Sequence, residues 1–133
     1  MQTGLQREGV EAPKNAKIVM LHALNPYGFS WDRRVNEDNA DINRNFIDHK
    51  KPPANKEYAA LADAVAPKNI SVATMKAAND MLKAYSRRHG AFALQAAISK
   101  GQYNYPDGVY YGGAKEAWSK GMLRDVINEE LRD

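Results

Sequence analysis

Three arginines stand among acids and amides in the segment Trp31-Asp32-Arg33-Arg34-Val35-Asn36-Glu37-Asp38-Asn39-Ala40-Asp41-Ile42-Asn43-Arg44-Asn45-Phe46. An arginine's planar fork meets a carboxylate through two parallel hydrogen bonds, and a fixed asparagine beside it donates one more. Arg33, Arg34, Arg44 and Asn43 therefore suit an anionic substrate or a developing oxyanion. The same residues also suit an internal ion-pair network that pins a loop, with Asp38 or Asp41 partnering Arg33, Arg34 or Arg44. Composition supports the two readings equally.

Other chemistries find less support. His22, His49 and His89 lack a second ligand at zinc-site spacing, and no H-E-x-x-H is present. His22 closes a hydrophobic run, where ligands gather in α/β sheets, but a histidine hydrogen-bonded behind the following turn is the plainer expectation. His49 and His89 read as surface residues. Ser30, Ser71, Ser86, Ser99 and Ser119 lack a G-x-S-x-G elbow, and Gly112-Gly113 reads as a tight turn, not a phosphate loop. With no cysteine, thiolate metal sites, disulfides and cysteine nucleophiles are all excluded. Lys+Arg 19 against Asp+Glu 16 gives 19 − 16 = +3, spread over isolated pairs such as Lys50-Lys51 and Arg87-Arg88. A nucleic-acid footprint needs basic residues clustered on one face, so no nucleic-acid partner is expected. No apolar run approaches the roughly 18–20 residues that span a bilayer, so no membrane partner is expected either.

The elements that must position the arginines begin with residues 16–23, whose unbroken Ile-Val-Met-Leu run predicts one strand buried on both faces. Asn25-Pro26-Tyr27-Gly28 turns the chain, and residues 29–53 form a long polar loop anchored by Trp31, Val35, Ile42, Phe46 and Ile47. After Pro52-Pro53 the chain becomes helical. Asn55 caps a helix carrying Tyr58, Leu61, Ala62 and Val65, which stops at Pro67. Ser71 caps a longer one with Met75, Ala78, Leu82 and Tyr85 on one face, ending near Gly90. Residues 91–100 form a third helix, stopped by Gly101. Residues 102–113 are turn-rich, and a last helix from about Ala114 turns Trp118, Met122, Val126 and Ile127 inward.

The length, 133 residues, suits one domain: sheet strand and arginine loop over 1–54, helical part over 55–133. The fold class expected is α/β, mostly helical within this segment with one clear buried strand. One strand must pair, and residues 1–9 read as the last turns of a helix closed by Gly9, so the chain looks like an interior slice of a larger domain. With neither a signal peptide nor an organelle presequence, a cytoplasmic location is expected.

Asn25-Pro26-Tyr27-Gly28 followed by Asp41-Ile42-Asn43-Arg44-Asn45-Phe46 resembles the paired N-P-x-G and D-x-N-R-N-F signatures of the zinc carboxypeptidase superfamily. His22 through Phe29 with Arg33-Arg34-Val35-Asn36-Glu37-Asp38-Asn39 is similar to a bacterial carboxypeptidase-like subgroup first catalogued as a domain of unknown function. The likeness continues through Gly101-Gln102-Tyr103 and Tyr110-Tyr111-Gly112-Gly113 to Trp118, nearly the whole chain. It implies part of a mixed-sheet metallopeptidase fold. It also implies a zinc-dependent hydrolase cleaving a peptide or amide bond. Asn43 and Arg44 would hold the substrate's carboxylate, and Arg34, or Arg33 beside it, would stabilise the oxyanion. The superfamily's zinc ligands, an H-x-x-E pair and a later histidine, and its general-base glutamate have no counterpart here. Zinc is thus implied for a full-length parent, no metal ligand for this chain, and the segment alone should be inactive. The substrate implied is a peptide or N-acyl amino acid bearing a carboxylate. The alternatives are an N-acyl amino-acid deacylase of the aspartoacylase/succinylglutamate desuccinylase type, a non-catalytic carboxylate-binding module, or a structural protein whose arginines are spent in internal pairs.

Overall fold

Capping residues decide where the helices begin. Asn25 accepts from the Gly28 amide with Pro26 in the first helical turn, and this sets α1, Pro26–Ser30. Asn55 accepts from Tyr58 N and opens α2, Lys56–Val65. Ser71 accepts from Thr74 N and opens α3, Val72–His89. Gly90, at φ +92, ends α3 and lets the chain reverse into α4, Ala91–Ser99, and Gly101 at φ +96 releases it again. After a turn-rich stretch comes α5, Trp118–Glu130. The computed structural model describes residues 9, 14–16 and 18–130.

Helices α2, α3 and α4 pack on one another. Their core is small: Tyr58, Leu61, Ala62 and Ala64 of α2, Ala78 of α3 and Ala97 of α4 are buried. The Asn55 side chain ties the group together. While its oxygen caps α2, its amide donates to Ala97 O at 2.9 Å and Gly101 O at 2.8 Å, satisfying carbonyls at the end of α4. Helix α5 lies apart from this trio and docks through its first turn, where Ser119 is buried and Lys120 donates to Ile47 O.

The expected α/β class is overturned. The described residues form helices and contain no strand or sheet, only an isolated bridge between Gln102 and Tyr111. The run meant to be a buried strand has no ladder partner, and Ile18, Val19, Met20 and Leu21 are 41–51% exposed. A hydrophobic run states an appetite for burial. Only a paired edge makes it a strand. Helices α2, α3 and α4 arrive where their caps and spacing placed them, but the last begins at Trp118 and not near Ala114, and three side chains face otherwise than expected. Trp118 and Ile127 point outward, and Met75 at the start of α3 is exposed. The helical reading of residues 1–8 lies outside the described residues; Gly9 itself has φ +67, the left-handed region expected of it. No helix among the described residues is long and apolar enough to cross a membrane.

Candidate carboxylate site

The loop that carries the arginines is held by buried polar groups. Of its expected apolar anchors, Ile42 is buried, but Trp31 is 68% exposed and Phe46 51% exposed. Asn36, Asp41 and Asn45 are the loop's buried polar residues, at 3%, 1% and 0% exposure. Asn36 closes a turn on itself: its side-chain oxygen accepts from Ala40 N at 2.8 Å and Asp38 N at 3.1 Å. Asn39, left-handed at φ +57, reaches across to Pro106 O at 2.7 Å. Asn45 is the strongest tie. Its amide donates to Gly112 O and Lys115 O, and its oxygen accepts from Ala117 N, joining the arginine loop to the segment leading into α5.

The N-P-x-G turn places the first arginine pair. Arg33 N donates to Gly28 O at 2.8 Å, and the Asn25 side chain donates to Arg34 O at 3.2 Å. A Cβ on Gly28 would strike both the Asn25 amide and Arg33 O, so this close return is open only to glycine. The D-x-N-R-N-F residues place the second group. Asp41 accepts from Asn43 N and starts a single 3₁₀ turn, Ile42–Arg44, while Asp41 N donates to Tyr111 O at 2.7 Å.

Asp41 is also the hub of the charges. Arg34 Nε donates to its Oδ2 at 2.8 Å, and Arg44 Nη1 stands 3.9 Å from the same oxygen. The Asp41 carboxylate, by hydrogen bond and then by charge, raises the pKa of the Arg34 guanidinium further above its ordinary value, which keeps it cationic. Arg44 spends Nε and Nη2 on Ser99 O, at 3.3 and 2.8 Å, where a cation meets the carbonyl end of α4. Both guanidinium carbons lie over the Tyr110 ring, Arg34 at 5.5 Å and Arg44 at 5.3 Å from its centroid. Tyr103 supports the group from behind, its hydroxyl donating to Arg44 O at 2.7 Å. Burial pushes the Tyr103 hydroxyl's pKa up, so it remains a donor across the neutral range.

Arg34, Arg44 and the Asn43 backbone thus converge on Asp41, and the Asn43 side chain is exposed beside them. Arg33 does not join. It is exposed, has no side-chain partner among the described residues, and lines a shallow groove with Asn25, Asp32 and Arg34. Asp38 faces Lys115 at 3.9 Å, not an arginine of the loop. His22 is exposed and packs edge-on against Phe29 at 5.2 Å without the hydrogen bond expected of it. His49 contacts Asn45 O at 3.1 Å, and His89 stacks on Tyr85. Among the described residues no group of three or more His, Cys, Asp or Glu side chains could hold a metal ion, so the residues present do not fit a zinc centre. Tyr110 is the participant that sequence reasoning missed. Its one signal was an aromatic pair set directly before Gly112-Gly113.

The family comparison bears on this whole arrangement, because residues 1–133 match the model of a family described as a protein of unknown function, DUF2817. The chain belongs to the DUF2817 family. No curated protein and no solved structure matches it. Membership of DUF2817 covers both signature segments and the Tyr110 turn together. The site therefore lies wholly within the family's matched region.

Proposed function

We propose that this DUF2817 chain is the carboxylate-holding part of a zinc-dependent, carboxypeptidase-like hydrolase. Its substrate is a peptide or N-acyl amino acid with a free carboxylate. The observation that carries the reading is Arg34. Tethered to buried Asp41 through Nε alone, its side chain is 54% exposed, and its two terminal nitrogens have no hydrogen-bond partner among the described residues. That is a guanidinium fixed at its stem and open at its fork, the form that receives a carboxylate bidentately, so this reading moves the substrate carboxylate from Arg44, where the resemblance put it, to Arg34, which the resemblance gave to the oxyanion.

Charge supports it. Two guanidiniums share one carboxylate, leaving an excess of 2 − 1 = +1 at the cluster. Arg44, mostly spent on Ser99, contributes field more than contact, and Asn43 offers an exposed amide. The resemblance of Asn25 to Gly28 and of Asp41 to Phe46 to zinc carboxypeptidase signatures supports hydrolysis. In this proposal the zinc ligands come from outside these 133 residues, and the residues here bind, orient and balance charge. The same contacts serve an N-acyl amino-acid deacylase or a binding module without catalysis.

A nuclear magnetic resonance titration with N-acetyl-phenylalanine and its carboxamide tests the binding. The acid is expected to bind about 10–100 times more tightly, the equivalent of one charge-assisted pair. Arg34→Ala should erase the difference. Equal affinity for acid and amide in the unaltered chain would overturn the reading. Release of amine from peptides against N-acyl amino acids, measured on the intact gene product with zinc, separates peptidase from deacylase; release from neither leaves a binding module.

A further inference from the structure

Tyr110 sits in a backbone conformation that a side chain rarely adopts. Its φ is +52, the left-handed region, which is strained for a non-glycine residue. The strain is held in place from both sides. Gln102 N donates to Tyr110 O at 3.2 Å, Gly112 N donates to Gln102 O at 2.8 Å, and Asp41 N donates to Tyr111 O at 2.7 Å. That last bond fixes the residue after Tyr110 to Asp41, which collects both arginines.

The consequence of this conformation is where the ring lies. Both guanidinium carbons stand within the roughly 6 Å over which a cation is attracted to an aromatic face, at 5.5 and 5.3 Å. Two like charges brought to one carboxylate repel each other. The electron-rich face of the ring offsets part of that repulsion. It also limits the rotation of the Arg34 side chain, whose one hydrogen bond among the described residues is at Nε. The phenol hydroxyl has no hydrogen-bond partner among the described residues, so the ring, not the hydroxyl, makes the contact.

We propose that Tyr110 is a positioning residue for the carboxylate site: its ring holds Arg34 and Arg44 together as one anion-receiving pair. This rests on the carboxylate-binding reading above. Left-handed strain at Tyr110 is the price of placing an aromatic face under both cations.

Two variants test it against the unaltered chain, with N-acetyl-phenylalanine and its carboxamide as probes. Tyr110→Phe keeps the face and loses the hydroxyl. Tyr110→Gly removes the face and suits a φ of +52, so the fold should survive and the thermal midpoint should stay within a few degrees. Expected is acid affinity for Tyr110→Phe within about twofold of the unaltered chain. For Tyr110→Gly a loss of about 5- to 30-fold is expected, the equivalent of two cation–π contacts of about 0.5–1 kcal/mol each. The amide's affinity should not change, and the Arg34 Nε–H resonance should shift only in Tyr110→Gly. If the unaltered chain does not prefer the acid, the carboxylate reading fails. If it does and Tyr110→Gly keeps that preference, the positioning role fails on its own. Should Tyr110→Gly not fold, Tyr110→Leu with the same two probes decides.

Discussion

Replacing Asn45 tests whether buried amides, and not apolar anchors, hold the arginine loop. In Asn45→Ala three partners are abandoned at once: Gly112 O, Lys115 O and Ala117 N. The carbonyl of exposed Lys115 can turn to water, so its loss counts for little. Gly112 O and Ala117 N are buried, and each such orphan costs about 1–3 kcal/mol. With the void left by the side chain, the expected loss is about 3–5 kcal/mol. At about 2.1 cal/mol/K per residue this lowers the thermal midpoint by about 10–18 °C. Asn45→Asp sharpens the test, because the introduced carboxylate would face two carbonyl oxygens. Burial and those oxygens raise its folded-state pKa above the unfolded value of about 3.9. The stability of that variant is therefore highest below pH 4 and falls as pH rises towards the folded-state pKa, where the unaltered chain does not share this dependence. Urea denaturation of the three proteins at pH 4 and pH 7 reads both effects. An alanine variant within 1 kcal/mol of the unaltered chain would refute the reasoning.

Other consequences follow from the same geometry. Gly28→Ala forces a Cβ into the Asn25 amide and Arg33 O, and should cost about 1–3 kcal/mol in urea denaturation. It should also weaken acid binding by releasing Arg34. Burial raises the pKa of the Tyr58, Tyr103 and Tyr111 hydroxyls above their ordinary value of 10.0. Their contribution to stability is complete below pH 10 and is lost as pH rises through the folded-state values. Absorbance near 295 nm should then show a late tyrosine ionisation that becomes ordinary in urea. A curve unchanged by urea would count against the packing around Tyr58. Acid affinity should also fall as salt rises from low to about 0.15 M, because the site is half-exposed and screened there.

The helices were legible because their signals are local. As helix-end signals Asn55, Ser71, Gly90 and Gly101 act within a few residues of themselves, whatever longer ties Asn55 also makes. The strand was misread because pairing is not local: nothing in Ile18 to Leu21 says whether a partner edge exists. Loop anchoring was misread for a related reason. Trp31 and Phe46 have the apolar surface that invites burial, yet the loop closes on itself through Asn36 and is tied by Asp41 and Asn45 to residues 111–117, far along the chain. Arg34, Arg44 and Asn43 were legible as a group because Asp41 lies among them and its carboxylate reaches all three. The partnering of Arg34 and Arg44 by Asp41 was one of the two readings composition left open. It coexists with an open guanidinium fork, so in the proposed reading the ion pair and the anion site are one construction and not rivals. Tyr110 was hidden because its role depends on a fold contact and on a backbone angle that its residue type does not announce.

The most direct measurement is a crystal structure of the chain with N-acetyl-phenylalanine bound. A carboxylate whose oxygens lie about 3 Å from the terminal nitrogens of Arg34, with Asp41 still on its Nε, is the result the account predicts. A carboxylate seated instead on Lys50-Lys51 or Arg87-Arg88, with the Arg34 fork empty, would contradict it.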